Sequence, residues 1–228
     1  MMVRVISIGA LAQHPLRSEK APLRTGHATT SLILAGNRRI LVDPGLPAPA
    51  LAARLGERSG LTPSDITDVF LTCFRPDARR SLALFEGAKW WISAEEREAV
   101  GVPLAHSLAR AASAEPPDAE LIAALEQDVA LLRRCEPAPD RLHERVSLFP
   151  LPGVTPGLAG LLIEEPRHTT LICGDAVPTW EHLEQGQVLA ESVDLERARE
   201  SFAEAIEIAD LLVLGRDNAV VNPTKRPF

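Results

Sequence analysis

The segment TCFRPDARR (residues 72–80) gathers a thiol, a carboxylate and three arginines within nine positions. It lies between a strand-like run, DVFL (68–71), and a helix-like SLALF (81–85), a junction at which α/β proteins often build sites. A thiolate can attack or ligate, a carboxylate can ligate or take a proton, and a guanidinium fork pairs in a plane with carboxylates. The segment holds no histidine. His14, His27, His106, His143, His168 and His182 all lie elsewhere. His27 and His182 are the two placed to approach a site mouth, although lone histidines are more often structural or surface residues.

The elements that would position these groups follow from periodicity. VRVISIG (3–9) alternates like a strand, and TTSLILAG with RRILVDPG flank Gly36–Asn37 as a hairpin. Residues 49–60 read as a helix closed by glycine. The fourth strand ends at DVFL, and KWWIS (89–93) forms a fifth, with one tryptophan expected in the core and one in a groove. Residues 94–134 read as helical or irregular, with Ile122, Leu125, Val129 and Leu132 on one stripe. RVSLFPL, GLAGLLIEE and HTTLICGD give three further strands. DLERARESFAEAIEIAD is an amphipathic helix capped by Asp194, with Leu195, Ala198, Phe202, Ala205 and Ala209 facing inward. LLVLG (211–215) is read as the last buried strand. This order predicts a sandwich of two sheets with helices outside.

At 228 residues, one domain is expected over residues 1–228, with a variable helical insertion at about 94–139. Lys and Arg total 24 against 31 Asp and Glu, a net charge of −7 that disfavours nucleic acid and anionic lipid as partners. Only Lys20, Lys89 and Lys225 are lysines, so the positive charge is almost all arginine. Cys73, Cys135 and Cys173 are odd in number and widely spaced, which fits a reducing compartment. Without a signal peptide or a long apolar run, a cytoplasmic location is expected.

The order of motifs resembles the metallo-β-lactamase fold family. That family's signature is an aspartate after the third strand, then T-H-x-H-x-D-H, a histidine in a G-H-T-x-G turn, a G-D, and a histidine in a final G-H-D. LVDPG, LTPSDITDVFLT leading into TCFRPDARR, LPGVTPG (151–157), LICGDAV and VLGRDN stand in these places. The resemblance implies a four-layer αββα sandwich of two mixed β-sheets with helices on both outer faces, and, in most members, zinc-dependent hydrolysis. The ligand positions differ. Cys73 and Arg75 stand at the first two histidines, Ala78 at the third, Val154 at the turn and Arg216 at the last, while Asp77 and Asp175 keep the carboxylates.

A catalytic zinc needs about three protein ligands and an open position. The inherited positions leave Cys73, Asp77 and Asp175 as residual candidates, so no metal, no cofactor and no catalytic residue are expected. Two facing buried carboxylates without a cation would be costly. Arg75 and Arg216 are therefore expected to pair with Asp77 and Asp175 in place of the metal. The plainer alternative has both arginines in solvent and a pocket collapsed around Ala78 and Val154. Arg79 and Arg80 read as a solvated face, and Cys73 as a small space-filler more readily than as a nucleophile. The vestigial pocket comprises Asp43, Cys73, Arg75, Asp77, Ala78, Val154, Asp175 and Arg216. The resulting reading is a non-catalytic pseudoenzyme, a binding or structural protein. A metal-dependent hydrolase with an altered mononuclear site, holding zinc, is the rival. A small anionic ligand or a protein partner is expected, with homo-oligomerisation also open.

Overall fold

Strand alternation separates two faces in the computed structural model, which describes residues 1–225. The first sheet runs in the order β1 (Met2–Ser7), β2 (Thr30–Ala35), β3 (Arg38–Val42), β4 (Asp68–Leu71), β5 (Lys89–Ile92) and β6 (Glu136–Pro137). Its first three strands are antiparallel, and β3 to β6 are parallel. The second sheet holds β7 (Arg141–His143), β8 (Val146–Pro150), β9 (Ala159–Glu164), β10 (Thr169–Ile172), β11 (Leu211–Val213) and β12 (Ala219–Val221). There the pairing is antiparallel except between β10 and β11. The helices are α1 (Ala48–Ser59), α2 (Pro76–Arg79), α3 (Ala94–Ala112), α4 (Ala119–Arg134), α5 (Trp180–Gln185) and α6 (Leu195–Ile208).

Ile33, Ile40, Phe70 and Trp91 from the first sheet meet Val146, Leu161, Ile163 and Val213 from the second in an inter-sheet core. Their neighbours one step along the same strands, Leu32, Leu41, Leu71 and Trp90, point the other way and pack with Leu51 and Leu55 of α1 and Leu132 of α4. On the far side, Leu171, Leu212 and Leu214 pack with Ala198, Phe202 and Ala205 of α6. Each Val, Leu, Ile or Phe side chain fully buried in this way contributes about 1.5–3 kcal/mol. The period of two thus yields helix, sheet, sheet, helix: the four-layer αββα sandwich of two mixed sheets.

Local signals act where the sequence places them. Ala35 pairs with Arg38 across Gly36, whose φ of +60° suits the two-residue turn. Asp194 caps α6 by accepting from the Arg197 N–H at 3.0 Å. LLVLG is the last buried strand, as read, and a further strand without a buried residue, β12, follows it. The two- and three-residue strands β6, β7 and β12 are too short to show alternation. Two expectations need correction. Trp90 and Trp91 are both buried, on opposite faces, so neither lies in a groove. Leu195 is 40% exposed because it occupies the first position of α6, before the helix reaches the sheet.

Candidate functional site

Parallel pairing brings the charged segments together. Because β3 runs parallel to β4, the turns after them leave the sheet side by side, and the Asp43 N–H donates to the Phe70 carbonyl at 3.0 Å. In the second sheet β10 runs parallel to β11, and the Cys173 N–H donates to the Val213 carbonyl at 3.0 Å. Asp175 and Arg216 therefore emerge together. Two cross-sheet bonds lock these ends: Thr29 N–H to the Gly215 carbonyl at 2.8 Å and Ala159 N–H to the Thr72 carbonyl at 3.0 Å. The turns need glycine here. Gly174 has φ +53°, and a Cβ on Gly215 would collide with the Gly174 carbonyl.

Arg216 is 4% exposed and sits between two carboxylates. Its Nε and Nη2 donate to the two oxygens of Asp175 at 2.6 and 2.7 Å, a bidentate pair, while Nη1 donates to Oδ2 of Asp77. Burial alone would raise the Asp175 carboxyl. The charge and hydrogen bonds of Arg216, with Arg75 and His182 adding, outweigh it and hold the group below the usual carboxylate range. Burial likewise opposes the Arg216 charge, but Asp175 and Asp77 raise it well above its ordinary value. The other oxygen of Asp77, Oδ1, is buried with no hydrogen-bond partner among the described residues.

The two arginines are not equivalent, contrary to the expectation that both replace the metal alike. Arg75 reaches Asp175 Oδ2 only at 3.6 Å and Glu191 Oε1 only at 4.0 Å, and its side chain is 35% exposed. Arg216 is the closer partner of both Asp175 oxygens, at 2.6 and 2.7 Å. These groups form the floor of a cleft of about 480 Å3, walled by Leu11, Pro15, Pro22 and Leu189.

The remaining members of the expected pocket do not line that cleft. Cys73, Ala78 and Val154 are 1%, 1% and 3% exposed and pack with Ala28, Leu158 and Leu189 in the core beneath α6. Burial pushes the Cys73 thiol well up, with Asp175, Asp43 and Glu96 adding to the rise, so the thiol holds its proton. Cys173 is buried with its thiol pushed up in the same way. Asp43 accepts from Thr72 through both oxygens, N–H at 2.8 Å and hydroxyl at 2.7 Å, and burial raises it to about 7. It braces the β3 and β4 turns and takes no part in the cleft. Among the described residues, no three His, Cys, Asp or Glu side chains come together as a cation-binding group.

Three further placements differ from the sequence reading. Arg79 does not face solvent. It is 8% exposed, donates to the Phe74 carbonyl at 2.9 Å and pairs with Asp128 of α4 at 2.8 Å. His27 bonds to the carbonyls of Thr25 and Ile8, and His182 is fully buried, so neither borders the cleft. His182 instead faces His14, with ring centres 5.4 Å apart, and both share the Thr179 hydroxyl. Burial, then His14, lowers His182 to about 4. Glu96 was not singled out by sequence. It is buried and joins three segments, accepting from Phe74 N–H at 3.0 Å, Thr155 hydroxyl at 2.7 Å and Gly157 N–H at 3.1 Å. Its signal was the S-x-x-E pattern at Ser93, whose cap on α3 fixes the helix that presents Glu96.

The model of the metallo-β-lactamase superfamily matches residues 23–213, and the chain belongs to that superfamily. No curated protein matches its sequence. Among solved structures, it is similar to a metallo-β-lactamase-like protein of Thermotoga maritima at 20% identity and TM-score 0.68, covering 96% of this chain and 98% of that one. It is similar to a probable metal-dependent hydrolase of Staphylococcus aureus at 16% identity and TM-score 0.67, covering 94% and 86%. AidC, a dizinc quorum-quenching lactonase, aligns at 20% identity and TM-score 0.60, covering 79% and 67%. At these identities the likeness is one of fold.

Proposed function

We propose that this chain is a metal-free, non-hydrolytic member of its superfamily that binds a small ligand in the cleft above Arg216. The observation that carries this reading is the Arg216 guanidinium itself, bidentate on Asp175 and bonded to Asp77. Positive charge supplied by the protein stabilises both carboxylates, which is the electrostatic role a cation has between facing carboxylates. On this reading the residues present do not fit zinc. Cys73 is buried in the apolar core, Ala78 and Val154 cannot coordinate, and any metal between Asp77 and Asp175 must displace a buried salt bridge.

The rival is a hydrolase with a mononuclear site at Cys73, Asp77 and Asp175, favoured by the hydrolases among the similar structures. The test assays the purified protein, with zinc or manganese supplied, against lactone, thioester and phosphodiester substrates. No turnover above the metal-only control is expected. Turnover that Asp175→Ala abolishes would overturn the proposal in favour of the rival.

A further inference from the structure

Arg75 stands at the floor of the cleft with its donors unengaged. Its guanidinium makes no hydrogen bond among the described residues, and its two ionic contacts, at 3.6 Å to Asp175 and 4.0 Å to Glu191, lie beyond hydrogen-bond reach. Arg216 donates to each Asp175 oxygen at 2.6 and 2.7 Å, while Arg75 stands back from Oδ2 at 3.6 Å. Glu191 at the rim is 56% exposed, and this long contact is its one ion pair among the described residues. An open acid–base pair reaching from the floor to the rim of a concave site is a pair of unused recognition groups.

The charges select what can use both. Arg75 and Arg216 face Asp77, Asp175 and Glu191, so the cleft holds two positive and three negative groups. A dianion such as phosphate would bring two more negative charges to one loosely held guanidinium. A simple amine would leave the Arg75 fork empty. A zwitterion adds no net charge and serves both groups. Leu11, Pro15, Pro22 and Leu189 form apolar wall, and an apolar body is removed from water by contact with them.

We infer that the cleft binds an apolar α-amino acid. Its carboxylate accepts both prongs of Arg75, its ammonium donates to Glu191, and its side chain lies on the Leu11–Leu189 wall. Carboxylate and ammonium on one carbon are adjacent, as Arg75 and Glu191 are. The ligand replaces one long contact by two short charge-assisted ones. This inference rests on the ligand-binding reading above and names the ligand class.

Isothermal titration of the full chain with L-leucine, 4-methylpentanoate and isopentylamine tests it. Leucine should bind, and each half-ligand should bind about tenfold more weakly or worse. Arg75→Gln should weaken leucine by about tenfold or more, Arg75→Lys should restore binding only in part, and Glu191→Gln should cost about two- to fivefold, as suits a rim charge. Unchanged thermal midpoints establish that the variants are folded. Failure of leucine to bind, equal binding of 4-methylpentanoate and leucine, or an Arg75→Gln variant that binds as well as wild type each overturns the inference. If the protein shows no hydrolysis and no leucine binding, the inference falls while the non-hydrolytic reading stands. Zinc-dependent turnover refutes that reading itself.

Discussion

Replacing Arg216 by methionine removes the charge while keeping most of the side-chain volume. The bidentate pair to Asp175 and the bond to Asp77 are lost, and Asp175, 3% exposed, keeps a charge with only the long 3.6 Å contact to Arg75 beside it. Breaking a buried pair from one side costs about 3–5 kcal/mol. Most of that loss should come from Asp175, because the Asp77 side chain is 26% exposed and retains some solvation. Urea unfolding followed by circular dichroism, with an unchanged slope, reads the loss. Asp175→Asn made on its own should be less costly, since Arg216 keeps Asp77. The double variant should recover stability relative to the sum of the singles by at least about 1.5 kcal/mol. The pH dependence provides a second check. Without Arg216, burial is left as the dominant influence on Asp175, so its folded pKa rises above its unfolded value. A raised carboxylate favours the fold below its unfolded pKa and loses that advantage as pH rises through the folded value. The Arg216→Met deficit should therefore shrink as pH falls from 7 toward 4. A loss under about 1 kcal/mol at pH 7, with additive double-variant energies, would refute the claim that Arg216 neutralises a buried carboxylate.

Arg75→Ala should change stability by no more than about 1 kcal/mol, because its contacts are long and partly solvated; urea midpoints decide. Two buried groups should drive stability in opposite directions with pH. His182 is depressed to about 4, so its contribution is present above its unfolded pKa and is lost as pH falls toward 4. Asp43 is raised to about 7, so it favours the fold at low pH and loses that as pH rises toward 7. The measurement is thermal unfolding across pH 4–8 for Asp43→Asn and His182→Asn. The first should lift stability at neutral pH relative to acid, and the second should flatten the acid-side decline. Parallel profiles for wild type and both variants would contradict these assignments.

Most of the fold was legible because it rests on local patterns. The Gly36 turn, the Asp194 cap and the alternation at Leu32–Ile33 and Phe70–Leu71 each act within a few residues, and each reappears in three dimensions. The pairing of Arg216 with Asp77 and Asp175 was legible for another reason, since all three hold fixed places in ordered motifs at strand ends. What escaped depends on distant partners. Arg79 looked solvated because its partner Asp128 lies on α4, far along the chain. Arg75 and Arg216 looked equivalent because nothing in the sequence tells which takes both Asp175 oxygens. The His14–Thr179–His182 cluster joins residues 165 positions apart and carries no motif. Glu191 and the wall residues at 11–22 belong to irregular segments, whose placement the sequence pattern does not set.

The Arg216 guanidinium holds the place between Asp77 and Asp175. The most direct measurement is metal content after equilibrium dialysis of the purified full-length protein against micromolar zinc, for wild type and Asp175→Ala. Protein that retains only substoichiometric zinc, the same in both, is the expected result. Stoichiometric zinc in the wild type, lost on Asp175→Ala, would contradict it.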